Sequence, residues 1–258
     1  MLIATPISHL FKLEPEIQKI IDASDCFECR DASFESTIVK QRIYHSDFEL
    51  IHTWTDREKK MLSLIQSTKE ELELISFHAA SCYSSPAIID GIFQPEGIEY
   101  SREDMIANTR ENIRTIRDIF GNSIEIAVEN NNYYPTPVYK TITDSSFLST
   151  IVNENNIAFL FDIAHAKVTA HNRNICFDEY TEGLPLNRCV QFHISEFGVN
   201  SRGIAYDVHE EPGRELYACI KNLLSRYRKV KYVTVEYYKS IDRLLFIISQ
   251  IKEIVISL

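Results

Sequence analysis

Short apolar segments alternate with longer amphipathic segments along the whole 258-residue chain, and this alternation is what most constrains the fold. The apolar segments predict β-strands at 2–7, 25–30, 48–52, 72–78, 124–129, 157–162, 189–194 and 232–236. The amphipathic segments predict helices at 15–23, 57–67, 102–120, 146–154, 215–227 and 240–256. About eight strand–helix units predict an α/β fold, a closed (β/α)8 TIM barrel formed by residues 1–258 as a single domain.

Local signals support these boundaries and argue against an open doubly wound sheet. Ser101 with Asp104 forms a predicted capping box, Gly121 is a helix stop, and Glu14-Pro15 is a helix start. An open sheet would normally carry a glycine-rich phosphate loop after its first strand, and the chain has neither G-x-G-x-x-G nor G-x-x-x-x-G-K. The polar, proline-bearing segments 84–100 and 130–144 are expected to be loops at the active face, and the second contains Tyr133, Tyr134 and Tyr139, which could line a peptide groove.

Charge and hydropathy narrow the class of partner. The chain has 27 Lys and Arg against 37 Asp and Glu, a formal net charge of −10, which argues against a general nucleic-acid-binding protein. No apolar run approaches the roughly 20 residues that a transmembrane helix needs. The start of the sequence also lacks the basic region and apolar core of a signal peptide. We therefore expect a cytoplasmic protein that contacts no membrane.

The six cysteines are predicted to be free thiols. Cys26 and Cys29 form a lone C-x-x-C, and the second pair that a zinc ribbon needs is absent from the sequence. In a strand, residues i and i+3 point to opposite faces, so we expect these two thiols to lie apart in the core or at an edge.

Metal-ligating residue types gather at the ends of the predicted strands. From the third strand onward the residues at these ends are His52, His78, Glu129, Asp162, His193 and Glu236. Close to them in the sequence are His165, Asp207 and His209. Five of the eight histidines fall in this set; His9, His45 and His171 lie outside it and are expected at the surface or around the ligands.

In a parallel barrel the carboxyl ends of all strands meet at one rim, so these residues should converge although they are far apart in sequence. Carboxylates and imidazoles gathered in one place would repel or stay unsatisfied without cations between them. Mixed His and carboxylate ligands suit Fe, Mn or Zn better than Mg or Ca. Nine ligands are too many for one ion and predict two or three, with a carboxylate such as Glu129 bridging.

Several segments resemble a known family. They are IAVENN (126–131), FDIAHAKVTAHNRN (161–174), LPLNRCVQFHIS (184–195), YDVHEEPG (206–213) and VTVEYY (233–238). Together they resemble the multinuclear non-haem iron-dependent oxidases of methanobactin and related peptide-maturation pathways, which have a xylose-isomerase-like TIM barrel. The resemblance covers about residues 72–258, and its most specific part is the L-P-L-x-R-x-V-Q-x-H segment ending at His193.

The resemblance implies two or three irons, O2 as co-substrate, and a ribosomally made precursor peptide modified at Cys or another residue and often presented by a partner protein. It implies a ligand set of His78, Glu129, Asp162, His165, His193, Asp207, His209 and Glu236, with a further histidine for which His52 is the candidate by spacing. Catalytic roles would fall on Glu129, Asp207 and His209, and substrate or ligand-supporting contacts on Asn130 and Asn132. The segment Ile194–Phe197 departs from the glycine-bearing turn of many members.

Other enzymes share strand-end ligands on this barrel. A metal-dependent hydrolase of the endonuclease IV-like type would use zinc or manganese, and a sugar isomerase or epimerase is a further alternative. The L-P-L-x-R segment and the acidic charge disfavour the first, and the lack of a predicted strand ending in Lys disfavours the second. A binding protein that had lost its chemistry would be expected to lack some of these ligands.

Overall fold

A computed structural model describes residues 1–13 and 15–258. Its strands are β1 (Leu2–Pro6), β2 (Cys26–Arg30), β3 (Gln41–Glu49), β4 (Leu74–His78), β5 (Ala87–Ile89), β6 (Ile92–Gln94), β7 (Glu125–Glu129), β8 (Ala158–Asp162), β9 (Cys189–Ile194), β10 (Glu196–Val199), β11 (Ala205–Glu210) and β12 (Tyr232–Val235). Its α-helices are α1 (Ile17–Ala23), α2 (Asp56–Thr68), α3 (Arg102–Phe120), α4 (Ser145–Glu154), α5 (Ile163–Arg173), α6 (Phe177–Glu182), α7 (Arg214–Arg226) and α8 (Ile241–Ile256).

Eight strands close into a parallel barrel in the order β1-β12-β9-β8-β7-β4-β3-β2. The predicted TIM barrel is therefore confirmed, and most strand boundaries agree with the prediction to within two residues. The third strand is the exception. It runs over Gln41–Glu49 and not 48–52. Its buried residues include the polar side chains of His45 and Ser46, so it does not have the apolar pattern of the other strands.

Two connections differ from the predicted strand–helix alternation. The connection between β8 and β9 contains α5 and α6, which the sequence pattern did not predict, and β2 reaches β3 through a single 3-10 turn at Asp31–Ser33. The capping box at Ser101 is confirmed, since its side chain and that of Asp104 each bond the other's backbone N–H. Glu14 of the predicted Glu14-Pro15 start lies outside the described residues, and the first helix begins at Ile17.

The barrel interior changes from apolar at the amino ends of the strands to titratable at their carboxyl ends. The apolar layer consists of Ala4, Cys26, Ile43, Leu74, Ala127, Ala158, Leu160, Val190 and Tyr232. Because side chains alternate along a strand, the inward residue two positions further on is polar in several strands, as with Ile43 and His45 or Ala127 and Glu129. This gradient directs a set of acidic and imidazole side chains toward one rim.

Two antiparallel hairpins stand on the rim where the strands end. The β5–β6 hairpin follows β4, within the segment 84–100 that was predicted to be a loop. The β10–β11 hairpin follows β9 and carries Asp207 and His209. The rim is therefore covered in part by two small sheets that belong to the connections.

The cysteines are free thiols in the structure, as predicted. Cys26 lies in the apolar layer inside the barrel, and Cys29 lies in the layer between the barrel and its helices. The two thiols therefore point to opposite faces of β2. Within residues 1–13 and 15–258, none of the helices combines the length and apolar character needed to cross a membrane.

Candidate metal centre

Glu129, the last residue of β7, lies at the centre of a buried cluster at the rim. One carboxylate oxygen, Oε2, lies 3.1 Å from Nδ1 of His78 and 3.4 Å from Nε2 of His45. The other oxygen, Oε1, lies 3.0 Å from Nδ1 of His193 and 3.9 Å from Nδ1 of His165. Oε2 thus faces His45 and His78, and Oε1 faces His193, which is the arrangement a bridging carboxylate between two cations would have.

Asp162 ends β8 beside this cluster, and only one of its two carboxylate oxygens is hydrogen-bonded. Its Oδ1 accepts the backbone N–H of His165 at 2.7 Å and so caps α5. Its Oδ2 is buried without a hydrogen-bond partner and lies 3.8 Å from Nε2 of His165. A fully buried, unpaired carboxylate oxygen is costly, so this atom fits a position beside a cation.

The β10–β11 hairpin brings a second carboxylate–histidine pair over the cluster. Oδ2 of Asp207 lies 3.6 Å from Nε2 of His165 and 3.1 Å from Nε2 of His209. Nε2 of His209 in turn lies 3.4 Å from Oε2 of Glu236, which follows β12. His209 has a φ of 48°, a left-handed conformation that is uncommon for a residue other than glycine. The hairpin thus holds His209 toward Asp207 and Glu236 in an unfavourable backbone conformation.

Three of the histidines have their second ring nitrogen held by a neighbour. Nδ1 of His45 is hydrogen-bonded to the hydroxyl of Ser76 at 2.8 Å. Nδ1 of His165 donates to the backbone carbonyl of Asn130 at 2.8 Å. Nε2 of His193 donates to a carboxylate oxygen of Glu28 at 2.8 Å. Fixing one nitrogen in this way sets the ring orientation and leaves the other nitrogen facing the cluster, as in metal-binding histidines.

The pKa values of the clustered carboxylates and histidines are shifted from their usual ranges by burial and by the opposite charges around them. Burial alone would raise the pKa of Glu129, but His45, His193 and His78 keep it well below its usual range. Burial would lower the pKa of His193, but the carboxylates of Glu28, Glu236 and Glu129 hold it well above its usual range. Asp162 has a pKa raised to about 7, chiefly by burial, against the effect of His165. Carboxylates and imidazolium ions thus neutralise each other in the absence of a metal.

Three groups of side chains have ligand atoms close enough to share an ion. They are His45 with His78 and Glu129; Glu129 with Asp162 and His165; and Glu28 with His193 and Glu236. In each group the ligand atoms lie within 4.8 Å of one another. Glu129 belongs to the first two groups. Nitrogen and carboxylate donors in this mixture fit Fe, Mn or Zn.

The structure brings together eight of the nine sequence-predicted ligands, namely His78, Glu129, Asp162, His165, His193, Asp207, His209 and Glu236. The ninth, His52, lies elsewhere. It follows the end of β3, its Nε2 is 2.7 Å from the backbone carbonyl of Ser81, and its ring lies 5.0 Å from that of Tyr100. The position predicted for His52 is occupied by His45. His45 lies outside the predicted strand-end pattern because β3 ends earlier in the chain than predicted.

The two asparagines predicted to contact substrate differ in their surroundings. Asn130 is fully buried, and its amide donates to the carbonyl and accepts from the N–H of Asp162, both at 2.9 Å. It is therefore a clamp on the end of β8, which agrees with the ligand-supporting alternative of the prediction. Asn132 lines the cavity beside the cluster, and its Oδ1 has no partner.

Glu28 and Arg30 belong to the same site and were missed, because β2 was interpreted through its cysteines. Glu28 is fully buried and bonds His193, and Arg30 contacts both Glu28 and Glu236. The available signal was alternation: Glu28 lies two residues beyond the inward-facing Cys26, and Arg30 two residues further.

An open cavity of about 440 Å³ leads to the cluster, and a groove lies next to it. The cavity is lined by His78, His165, Asp207, Asp47, Glu49, Phe93, Asn131, Asn132, Tyr134 and Tyr139. The groove, about 900 Å³, lies between the end of β3 and α2 and shares Asp47 and Glu49 with the cavity. Tyr133, the third predicted groove residue, stacks under Arg173, with 4.6 Å between the guanidinium carbon and the ring centroid.

Comparison with family models identifies the family to which this chain belongs. A family model described as RiPP precursor modification enzyme MbnB/TglH/ChrH matches residues 59–255. This chain belongs to the MbnB/TglH/ChrH family. The resemblance found in the sequence is thereby confirmed. The members of the family are enzymes that modify ribosomally made precursor peptides.

Solved structures with the same fold include sugar-converting enzymes. A D-tagatose 3-epimerase-like protein is 16% identical, with a TM-score of 0.65 over 99% of this chain and 97% of its own. A putative xylose isomerase from Rhodospirillum rubrum is 11% identical, with a TM-score of 0.60 over 99% of both chains. A D-allulose 3-epimerase from Methylomonas sp. is 11% identical, with a TM-score of 0.58 over 93% of this chain and 85% of its own. At these identities the likeness shows the TIM-barrel fold alone.

Proposed function

We propose that this protein is a multinuclear non-haem iron-dependent oxidase that uses O2 to modify a Cys, or another residue, of a ribosomally made peptide. The observation that carries the proposal is the position of Glu129, whose Oε2 faces His45 and His78 and whose Oε1 faces His193. Family membership supplies the peptide substrate class. In this proposal the ions are two or three irons held by His45, His78, Glu129, Asp162, His165, His193, Asp207, His209 and Glu236.

The donor chemistry fits iron. Bound iron would supply a position for O2 and for a substrate thiolate, and the electrons that O2 takes up on reduction to water would come from the peptide residue. The unpaired Oδ2 of Asp162 and the imidazole nitrogens directed into the cluster are the groups that a cation would satisfy. Mg and Ca prefer oxygen ligands, whereas iron also binds imidazole nitrogens. The several histidines of the cluster therefore favour iron over Mg or Ca.

The protein's own groups would perform the positioning. Glu129 would help to hold the ions, since its two oxygens contact His78 and His193. Asn130 fixes the backbone of Asp162 and the ring of His165 at once, through its side-chain amide and its backbone carbonyl. His209 and Asp207 would complete the site from the β10–β11 hairpin, which is the part of the cluster most open to solvent.

The cavity beside the cluster would receive the reacting side chain of the peptide. Tyr134 and Tyr139 are largely buried in its wall, and Asn132 also lines it. The adjoining groove, with Trp54 and Leu64 in its lining, would hold the residues next to the modified one. An extended peptide could occupy both, because they share Asp47 and Glu49.

The deciding experiment is metal analysis of protein expressed in iron-rich medium and purified without oxygen. Two or three irons per chain, with Mössbauer signals of coupled high-spin iron, would support the proposal. O2 uptake dependent on a Cys-containing peptide encoded beside the gene would then support the substrate. Zinc or manganese with negligible iron and no O2 uptake would overturn it in favour of a metal-dependent hydrolase or a sugar isomerase or epimerase.

A further inference from the structure

Glu28 lies at the centre of a buried hydrogen-bond network behind the candidate metal centre. Its Oε1 accepts from Nε and Nη2 of Arg30, at 2.8 and 2.6 Å. Its Oε2 accepts from Nε2 of His193 at 2.8 Å, Nε2 of Gln191 at 2.7 Å and the hydroxyl of Thr234 at 3.3 Å. The side chain is fully buried, and both oxygens are engaged by donors from β2, β9 and β12.

We propose that Glu28 is a positioning residue, which directs Nδ1 of His193 to the metal, and that Arg30 excludes a cation from the space between Glu28 and Glu236. The inference rests on the proposed function in one respect, since it requires that the cluster bind metal. It assigns Glu28 and Arg30 no contact with the substrate or with the ions.

The contact with Glu28 determines which ring nitrogen of His193 carries hydrogen. A carboxylate only accepts hydrogen bonds, so the short contact to Glu28 requires a hydrogen on Nε2 of His193. A neutral imidazole carries one such hydrogen, which leaves the lone pair on Nδ1. Nδ1 lies 3.0 Å from Glu129, 3.5 Å from Glu236 and 3.9 Å from Asp162. The carboxylate–histidine contact thus selects the nitrogen that faces the other ligands, as outer carboxylates do in metalloproteins.

Glu28, His193 and Glu236 form a group whose ligand atoms lie close enough to hold an ion. The guanidinium of Arg30 contacts both carboxylates of this group, Oε1 of Glu28 and Oε1 of Glu236. A fixed positive charge at this point repels a cation and already satisfies the oxygens that would bind it. Glu236 keeps its other oxygen, Oε2, directed toward His209. This group is therefore a support for the site and not an additional metal site.

The test is anaerobic titration of the full-length metal-free protein with Fe(II), comparing wild type with Glu28→Gln. An amide in place of the carboxylate cannot accept from both Arg30 and His193, so we expect iron affinity to fall by about 10- to 100-fold. Glu73→Gln is the matched control: Glu73 contacts Arg42 and Tyr232 at the opposite end of the barrel, and its variant should bind iron like wild type. Thermal unfolding of each metal-free variant shows whether it is folded before titration.

A double-variant cycle separates a positioning role from a general loss of stability. If Glu28 acts through His193, then Glu28→Gln combined with His193→Gln should bind iron no more weakly than His193→Gln alone. Additive losses would overturn the inference. Wild-type iron affinity in folded Glu28→Gln would also overturn it, whereas failure of the wild type itself to bind iron would overturn the proposed function instead.

A measurement without a Glu28 variant covers the case in which Glu28→Gln does not fold. Long-range ¹H–¹⁵N spectra of ¹⁵N-histidine protein loaded with Zn(II), a diamagnetic probe, report which nitrogen of each ring carries hydrogen. We expect one ring with a protonated Nε2 and a metal-bound Nδ1 whose signals vanish in His193→Gln. Metal bound to Nε2 of His193 would overturn the inference.

Discussion

Asp162 and His193 are directly paired between β8 and β9, and Oδ2 of Asp162 lies 3.9 Å from Nδ1 of His193. The pairing follows from the register of a parallel ladder, which places the last inward residues of neighbouring strands side by side. Glu129 ends β7 and is paired with Leu160, two residues before Asp162 on β8. The barrel therefore assembles the candidate ligands through strand register, and only Asp207 and His209 depend on a connecting hairpin.

Replacing Glu129 should damage both metal binding and folding. Glu129→Gln removes the charge that His45, His78 and His193 share, so we expect loss of most of the iron and a fall in O2-dependent activity of more than about a hundredfold. Removing one partner of a buried charge network also costs about 3–5 kcal/mol of metal-free stability. Metal analysis and denaturant unfolding measure the two effects. Full iron content with lost turnover would make Glu129 a catalytic group and not a ligand.

His45 and His52 provide a matched pair. His45→Ala should reduce bound iron and abolish activity, because Nε2 of His45 faces Glu129 at 3.4 Å. His52→Ala should keep the iron content of the wild type, because its Nε2 is bonded to the carbonyl of Ser81 away from the cluster. Iron per chain in the two variants, purified identically, decides the assignment. Loss of iron in His52→Ala with retention in His45→Ala would reverse it.

Periodicity and residue type at strand ends predicted the barrel and eight of the nine candidate ligands, because the geometry of a parallel barrel converts strand ends into one rim. The prediction went wrong at His45. In its strand the apolar pair Ile43-Tyr44 is followed by the polar residues His45, Ser46 and Asp47, so the strand lacks the apolar run by which the other strands are detected.

The groups that support the ligands could not be predicted from the sequence. Ser76 lies behind His45 on the neighbouring strand β4. Glu28 reaches His193 across the barrel, because β1 and β12 lie between β2 and β9. Asn130 was predicted to contact either the substrate or the ligands, and the sequence did not decide between them; in the structure its amide holds Asp162. Whether a polar side chain contacts substrate or supports a ligand depends on residues that are distant in sequence and meet it only in the folded protein.

Asn130→Ala tests that clamp. The substitution leaves the buried N–H and C=O of Asp162 without partners, which should cost roughly 2–4 kcal/mol of stability. We also expect iron affinity to fall by about 10-fold or more, because Asp162 is no longer fixed. Fe(II) titration and urea unfolding measure both. Asn155→Ala, at the end of α4, is the control and should leave iron affinity unchanged. Unchanged affinity in Asn130→Ala would remove its role.

Leu64 tests the groove as a peptide site. It lines the groove and is 46% exposed, so Leu64→Lys should fold normally and keep its iron. Loss of its apolar contact with the peptide should raise KM for the precursor about tenfold, with kcat little changed. Leu13→Lys is the control, since Leu13 is equally exposed at 47% and does not line the groove. Equal KM values for both variants would argue against binding there.

Stability of the metal-free protein should fall as pH rises. The pKa of Asp162 is raised to about 7 by burial, and carboxylates hold the pKa of His193 well above its usual range. The folded state therefore binds more protons than the unfolded chain, and the stability this provides is present at low pH and lost as pH rises through these raised values.

Bound iron replaces those protons, so iron affinity should increase over the same range, which includes the pKa of about 7 of Asp162. Urea unfolding with and without Fe(II), under anaerobic conditions, gives both dependences. His9→Gln, in which a surface histidine is replaced, serves as the control and should follow the wild-type curves. Stability of the metal-free protein that rises with pH across this interval would contradict the proton-filled cluster, because it would mean that the unfolded chain holds more protons than the site does.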